Sequence, residues 1–340
     1  MQPDLLYSQY GGMEMNLGIL GAGRIAQTMA QTILKMNEAG ENRVKLYAVA
    51  ARDLSRAEKF AQDFSVEKAY GSYEEMLSDK DLELVYIATP HSHHYPHMKL
   101  CADYGKHILC EKAFTVTAEQ AKAVFAYGRE KGVLITEAIW TRYQPMRRII
   151  QEELPAIGEP RMLTANLCYE ISGKERIVKP ELAGGALLDV GIYAINFAEM
   201  VFGRAQGIQG SCVKSTTGVD FADSITLTWE DGRMAVLNAA ATCVSDRLGV
   251  IYGTKGFMVV ENINNPQGLK IYDHQYQLIR EVSCPPQLTG YEYEVLEAAD
   301  CISRGMGECP SMPHEETVHI LQVMDILREQ MGVHYPCEGV

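Results

Sequence analysis

The run Gly21-Ala22-Gly23-Arg24-Ile25-Ala26 constrains this chain more than any other feature. It sits between an apolar stretch, Asn16 to Leu20, and an amphipathic one running from Arg24 to about Met36. In that strand–loop–helix frame Gly21 permits the tight turn, Gly23 lets a pyrophosphate approach the backbone, and Ala26 lets the helix close on the sheet. The helix start at Arg24 and Ile25 presents aligned N–H groups to an anion. The combination predicts a parallel, doubly wound sheet that binds a dinucleotide at the C-terminal ends of its strands.

The next hundred residues keep that rhythm. Strands are expected at 44–50, 69–70, 84–88, 107–110 and 133–136, and helices at 54–64, 73–77, 94–104 and 118–131. Ser72, with Glu75 three residues on, and Thr117 are placed to cap two of those helices. From about Arg161 the pattern changes. Segments 162–170, 224–229, 234–242, 249–253 and 257–261 are β-rich, and turns such as Glu230-Asp231-Gly232 and Thr254-Lys255-Gly256 separate them, which predicts antiparallel pairing. One helix, about 187–202, precedes this sheet, and two, 291–303 and 315–330, follow it. The expected architecture is α/β: a flexible extension over 1–14, a Rossmann doubly wound parallel sheet over 15–137, and an α+β domain over 138–340.

Asp plus Glu (44) outnumber Lys plus Arg (31), a formal charge of −13. That balance disfavours a nucleic-acid backbone or an anionic membrane as partner. No apolar run approaches the roughly 20 residues that span a bilayer, and the first residues lack the basic-then-apolar pattern of a signal peptide. Nine scattered cysteines without a CxxC read as reduced thiols of a cytoplasmic protein, not as a disulfide framework or a zinc site. His93 and His97 stand four apart, but no Cys or carboxylate block completes a ligand set, and no metal is expected.

An NAD-preferring domain ends its second strand with an acid that accepts from the ribose 2′-OH. Here that place holds Ala51, followed by Arg52-Asp53-Leu54-Ser55-Arg56. Arg52 and Arg56 would attract a 2′-phosphate, which favours NADP. In the competing reading Asp53 takes the ribose of NAD and both arginines are solvated.

Five further blocks follow in order: Thr89-Pro90-His91-Ser92-His93-His94, Glu111-Lys112-Ala113, Glu137-Ala138-Ile139-Trp140-Thr141-Arg142, the stretch from Gly184-Gly185 to Asp189 and Gly191-Ile192-Tyr193, and Gly253-Thr254-Lys255-Gly256. With the glycine loop they resemble the glucose–fructose oxidoreductase/inositol dehydrogenase (Gfo/Idh/MocA) family over about 16–330. Within it the likeness is greatest to the dimeric dihydrodiol dehydrogenase/NADP-dependent D-xylose dehydrogenase branch. The resemblance implies a Rossmann domain followed by an open, mostly antiparallel sheet whose exposed face pairs with another subunit, hence a homodimer or higher homo-oligomer. It also implies hydride transfer between NADP, or NAD, and a sugar, polyol or trans-dihydrodiol. Thr89 and Pro90 then join the cofactor contacts, His91 stands beside the nicotinamide, and His94 belongs to the pocket wall. Glu111 bonds the nicotinamide-side ribose, while Trp140 and Arg142 line the cofactor and substrate cleft. The family usually writes Glu-Lys-Pro with a cis bond; Ala113 stands here, and the sequence leaves the Lys112–Ala113 bond open between cis and trans.

Lys112, just after a buried parallel strand, falls at the sheet edge where such folds bind ligands. A phenol titrates near about 10, and a nearby cation favours its phenolate. As the branch implies, Tyr193 is therefore expected to transfer the proton, with Lys112 as its electrostatic partner and substrate anchor; the lysine as direct base is the alternative. Asp189, four residues before Tyr193, would share a helical face with it and hold a sugar hydroxyl or orient Lys112. The competing functions are a non-catalytic NADP-binding regulatory protein on the same scaffold and a reductase of an anhydro sugar or dicarbonyl.

Overall fold

The structure, a computed structural model, describes residues 14–339, so the expected extension over 1–14 lies, Glu14 apart, outside the described residues. Strands β1 (Met15–Leu20), β2 (Val44–Ala50), β3 (Lys68–Tyr70), β4 (Leu84–Ile87), β5 (His107–Glu111) and β6 (Ile135–Ala138) form one sheet in the order β3-β2-β1-β4-β5-β6. Every neighbouring pair in it is parallel. Between the strands run α1 (Arg24–Glu38), α2 (Leu54–Phe64), α3 (Tyr73–Leu77), α4 (His94–Asp103) and α5 (Ala118–Lys131). The local causes are plain in the residues. β4 and β5 are apolar runs buried on both faces. Asp53, Ser72 and Thr117 cap α2, α3 and α5, each side-chain oxygen accepting a backbone N–H, from Ser55, Glu75 and Gln120.

After α6 (Met146–Glu153) come β7 (Pro160–Cys168), the short α7 (Glu175–Val178) and α8 (Ile192–Phe202). Then follow β8 (Gly207–Lys214), β9 (Asp220–Thr228), β10 (Met234–Ala240), β11 (Gly249–Gly253), β12 (Gly256–Glu261), β13 (Gly268–Asp273) and β14 (Leu278–Ser283). They join in the order β14-β13-β12-β11-β7-β10-β9-β8. Neighbours are antiparallel with one correction to the turn-based expectation: β10 runs parallel to β7, from Met234 beside Met162 to Ala240 beside Cys168. The sheet is assembled around β7 by strands from far along the chain, and turn spacing carries no information about that pairing. Strands β8, β13 and β14 lie outside the expected set; β8 holds two glycines and β14 is mostly exposed, so neither alternates apolar and polar cleanly.

The helix expected over 187–202 opens instead as a π-helical turn, Leu187–Gly191, before α8. The stretch Pro180–Phe202 is also apolar and long enough to cross a bilayer by composition, contrary to the expectation that no run approaches that length. It is a core helix all the same: 94% of its apolar window is packed inside the protein. α8 lies against β7 and β10, and β11 approaches it so closely that a Cβ on Gly249 would come within 2.3 Å of the Phe197 ring. All nine cysteines carry free thiols.

The last two helices, α9 (Glu292–Ser303) and α10 (His314–Met331), turn back across both sheets. α9 packs on α1, β2 and β5, and α10 on α5, α8 and β8. One clasp is polar: Thr317 Oγ1 of α10 donates to Glu137 Oε2 of β6 at 3.0 Å. Burial pushes the Glu137 carboxyl up to about 7. The folded chain thus holds this proton to higher pH than the unfolded chain does, and Glu137 contributes less stability as pH rises from the ordinary carboxylate range to about 7. Glu137→Gln keeps an acceptor for Thr317 and removes the titration. Its Tm relative to wild type should climb through that window, and parallel Tm curves would contradict the assignment.

Candidate active site

The site begins where β1 ends. Gly21 has φ +106°, and a Cβ there would meet the Ala88 carbonyl oxygen at 3.1 Å, so only glycine lets the loop lie against the end of β4. Gly23 is the reverse case. A Cβ added there meets no heavy atom within 4 Å, so the space over the loop is open. Gly23 is also the N-cap of α1, with no side-chain capping bond and no acid in the first turn. The first-turn N–H groups of α1 are left to answer an anion in that open space, which fits a dinucleotide pyrophosphate.

From this loop a cleft of about 680 Å³ runs past the ends of β4 and β5 to the loop after β7, the π turn and α8. It is lined by Gly23, Arg24, Ile25, Thr89, Pro90 and His91, and further along by Glu111, Lys112, Asp189 and Tyr193. The Lys112–Ala113 bond is cis. Lys112 Nζ donates to the Asp189 backbone carbonyl at 2.8 Å and to Asp189 Oδ1 at 3.1 Å, and lies 5.2 Å from the centre of the Tyr193 ring. Arg176, on α7, donates to the same Oδ1 at 2.6 Å. Burial alone would raise the Asp189 carboxyl, but Lys112 and Arg176 outweigh it and hold the group well below the usual carboxylate range. Of the two roles expected of Asp189, these bonds to Lys112 fit the orienting one.

Tyr193 departs from the expected electrostatics. Burial, with Tyr291, Glu111 and Asp189 behind it, pushes the phenol well above its ordinary value, and Trp140 opposes this only in part. The cation lies over the ring rather than at the hydroxyl, so it does not bring out the phenolate. His91 donates from Nδ1 to the Ala183 carbonyl at 2.9 Å, which leaves Nε2 as an acceptor; burial and then Lys112 push its pKa down to about 3. Glu111 is raised to about 7 by burial, against Lys112 and a hydrogen bond donated by the Tyr86 hydroxyl.

Besides Gly21, which lies under the loop, five of the expected site residues stand outside the cleft lining. His94 is fully buried, with Nδ1 and Nε2 each 2.8 Å from a carbonyl, those of Ala113 and Thr89; it ties the two loops together from behind. Trp140 lies a layer back and stacks on Tyr291 at 4.0 Å, and it is Tyr291 that faces the cleft. Arg142 is buried as well: its Nε donates to Asn196 Oδ1 at 2.7 Å and it pairs with Glu316 at 3.6 Å, which commits the guanidinium to α8 and α10. Arg52 and Arg56 are exposed at the start of α2, where Arg52 acts on His93. Asp53 Oδ1 is spent on the α2 cap, accepting from Ser55 N and Oγ. His93 and His97 are half-buried, with His97 against the edge of Tyr73. Among the described residues no group of three or more His, Cys, Asp or Glu gathers as for a metal.

Lys174, Arg176, Asn264 and Tyr291, which no motif in the sequence marked, all line the cleft, and so does Tyr169. Each stands alone in its stretch of chain, so no spacing marks it.

Residues 15–139 match the GFO/IDH/MocA oxidoreductase family, described as an NAD-binding Rossmann fold. Residues 143–259 match the GFO/IDH/MocA C-terminal domain. The chain is 33% identical over 338 residues to trans-1,2-dihydrobenzene-1,2-diol dehydrogenase of Mus musculus, spanning 95% of this chain and 99% of that one. The enzyme of the same name from Homo sapiens is 32% identical over 339 residues, with the same coverage. A 3-ketoreductase from Actinomadura kijaniata, solved in complex with NADP and TDP-benzene, shares the fold with a TM-score of 0.84 at 23% identity, covering 95% of this chain and 100% of its own. An aldose-aldose oxidoreductase from Caulobacter crescentus does so with a TM-score of 0.80 at 20% identity, covering 93% and 97%.

Filling the space over the glycine loop tests the cradle directly. A Cβ on Gly23 meets nothing in the protein itself, so Gly23→Ala should fold as the wild type does, while NADPH affinity measured by nucleotide fluorescence should fall about tenfold. Unchanged affinity would remove the cradle.

Proposed function

The chain belongs to the GFO/IDH/MocA oxidoreductase family, and from that premise we propose an NADP-dependent enzyme that moves hydride to or from a CH–OH carbon of a sugar, polyol or trans-dihydrodiol. One observation carries the reading: Lys112 from the first sheet and Tyr193 from the helix under the second face one cleft that opens at the glycine loop. The relatives named as dihydrodiol dehydrogenases over nearly their whole length support the diol. The use of Asp53 as a helix cap, beside two exposed arginines, supports NADP over NAD. In this reading residues 15–137 hold the cofactor and 138–340 the substrate and subunit contacts. Nine free thiols suit a reducing compartment such as the cytoplasm.

Bound NADP supplies or accepts the hydride. Its contacts would come from the Gly21–Ile25 loop, Thr89, Pro90, His91 and Glu111. Lys112, fixed by Asp189, donates a hydrogen bond to the substrate oxygen and stabilises negative charge on it. Tyr193 holds the proton. A phenol kept neutral by burial gives that proton to a carbonyl oxygen during reduction, and must first lose it during oxidation.

Lys112→Met and Tyr193→Phe should each lower kcat/KM by about a hundredfold or more with NADP(H) and a sugar and diol panel. In the wild type, oxidation should accelerate as pH rises from neutral into the alkaline range, because deprotonated Tyr193 becomes more abundant. Tyr193→Phe should flatten that profile. Turnover by both variants at the wild-type rate would overturn the mechanism.

We also propose that the chain works as a homodimer through the uncovered face of the second sheet. Met234, Met162, Tyr252, Phe257 and Tyr272 stand side by side across β10, β7, β11, β12 and β13. Phe257 stacks on Tyr272 at 4.8 Å, and the first three residues of the row are exposed. Such a stripe suits a self-complementary contact. Sedimentation should give a dimer for the wild type and a monomer for Tyr252→Glu; a monomeric wild type would remove the proposal.

A further inference from the structure

The cleft of this acidic protein is locally basic. Its lining carries Arg24, Lys112, Lys174 and Arg176 against the carboxyls of Glu111 and Asp189, in a chain of net charge −13. Two of the four cations are accounted for, since Lys112 and Arg176 share Asp189 Oδ1 at 3.1 and 2.6 Å. The other two, Lys174 and Arg24, have no ion pair among the described residues. They come from different parts of the chain. Arg24 opens α1 beside the empty space over Gly23, and Lys174 stands on the loop after β7. The Lys174 backbone is held at both ends, its N–H donating to the Ile171 carbonyl at 3.0 Å and its carbonyl accepting from Ile177 N at 2.9 Å.

Lys174 is half-buried, and burial, followed by the fields of Arg176 and Arg24, pushes its pKa down; Asp189 works against that only in part. An ammonium so placed is destabilised until an anion comes between the cations. A neutral sugar or diol cannot offset two unpaired cations, whereas a phosphate can.

We propose that Lys174 and Arg24 form a two-sided seat for a phosphate anion, and that this anion is the pyrophosphate of the bound dinucleotide. The position of Arg24, in the first turn of α1 beside the amide cradle, selects the pyrophosphate over an acidic group on the substrate. Lys174 would then draw its loop down on the cofactor. The same loop carries Arg176, which bonds Asp189, and ends at Ala183, which accepts from His91. Cofactor binding is thereby coupled to the order of the groups around Lys112. This inference rests on the NADP reading above.

The experiment has two arms that need no turnover. NADPH affinity is measured by fluorescence for wild type, Lys174→Met and Lys174→Arg, at low and high salt. Wild-type Lys174 is then acylated with an amine-selective reagent, with and without NADPH, and the modified peptide is quantified. Lys174→Met should weaken NADPH binding about tenfold, Lys174→Arg should restore most of it, and the difference should shrink at high salt. NADPH should protect Lys174 from acylation. If wild type binds NADPH and Lys174→Met binds it equally well, with Lys174 acylated alike in both conditions, the seat is wrong and the cofactor reading stands. A wild type that binds no NADPH would overturn the cofactor reading itself.

Discussion

The cleft is organised around a single buried carboxylate. Asp189 comes from the π turn ahead of α8, Lys112 from the residue after β5, and Arg176 from the short α7 between β7 and that turn. Taking such charges out of water costs several kcal/mol per ion, and removing one partner leaves a buried charge uncompensated. Two cations on one carboxylate keep Asp189 ionised despite its burial. Because Lys112 also donates to the Asp189 backbone carbonyl, the amine is fixed by two bonds to the other half of the chain. The relation between the halves and the position of the amine are therefore the same constraint.

Around this fixed charge cluster, burial drives the neighbouring groups the other way. His91 and Tyr193 are held neutral, and Glu111 is shifted toward its protonated form. A low-dielectric surround strengthens whatever charge remains, here that of the Lys112, Arg176 and Asp189 cluster at one end of the cleft. At the opposite end the free N–H groups of α1 supply the positive potential. A polyanionic cofactor can thus enter a protein whose overall charge would repel it, because only two of its carboxyls, those of Glu111 and Asp189, line the cleft, against four cations.

A supporting layer stands behind these groups. Trp140 backs Tyr291, Arg142 fixes Asn196 on the helix that carries Tyr193, and His94 joins the carbonyls of Thr89 and Ala113. His94 shares a sequence block with Thr89, Pro90 and His91, which do face the cleft, whereas no residue of the block 137–142 that holds Trp140 and Arg142 lines it. Only packing separates the two ranks. A side chain one position away in such a block can point to the cleft or into the core.

Local rules were legible in the residues themselves. The glycine loop, the apolar runs of β4 and β5, and the caps at Ser72 and Thr117 depend on contacts within a few positions, and each stands where the chain's own spacing puts it; the cap at Asp53 is as local, but the sequence marked that acid only as a ribose contact. Lys112, Asp189 and Tyr193 were also legible, because motifs carry them. The parallel partnership of β7 with β10, the return of α9 and α10 to the first sheet, and the cleft positions of Lys174, Arg176 and Tyr291 were not. They join residues separated by tens to hundreds of positions, and no periodicity records which distant segment will lie alongside. The protonation of Tyr193 belongs with them: the sequence supplied the phenol and the cation, and the fold set the cation over the ring and buried the side chain, which decides the sign of the shift.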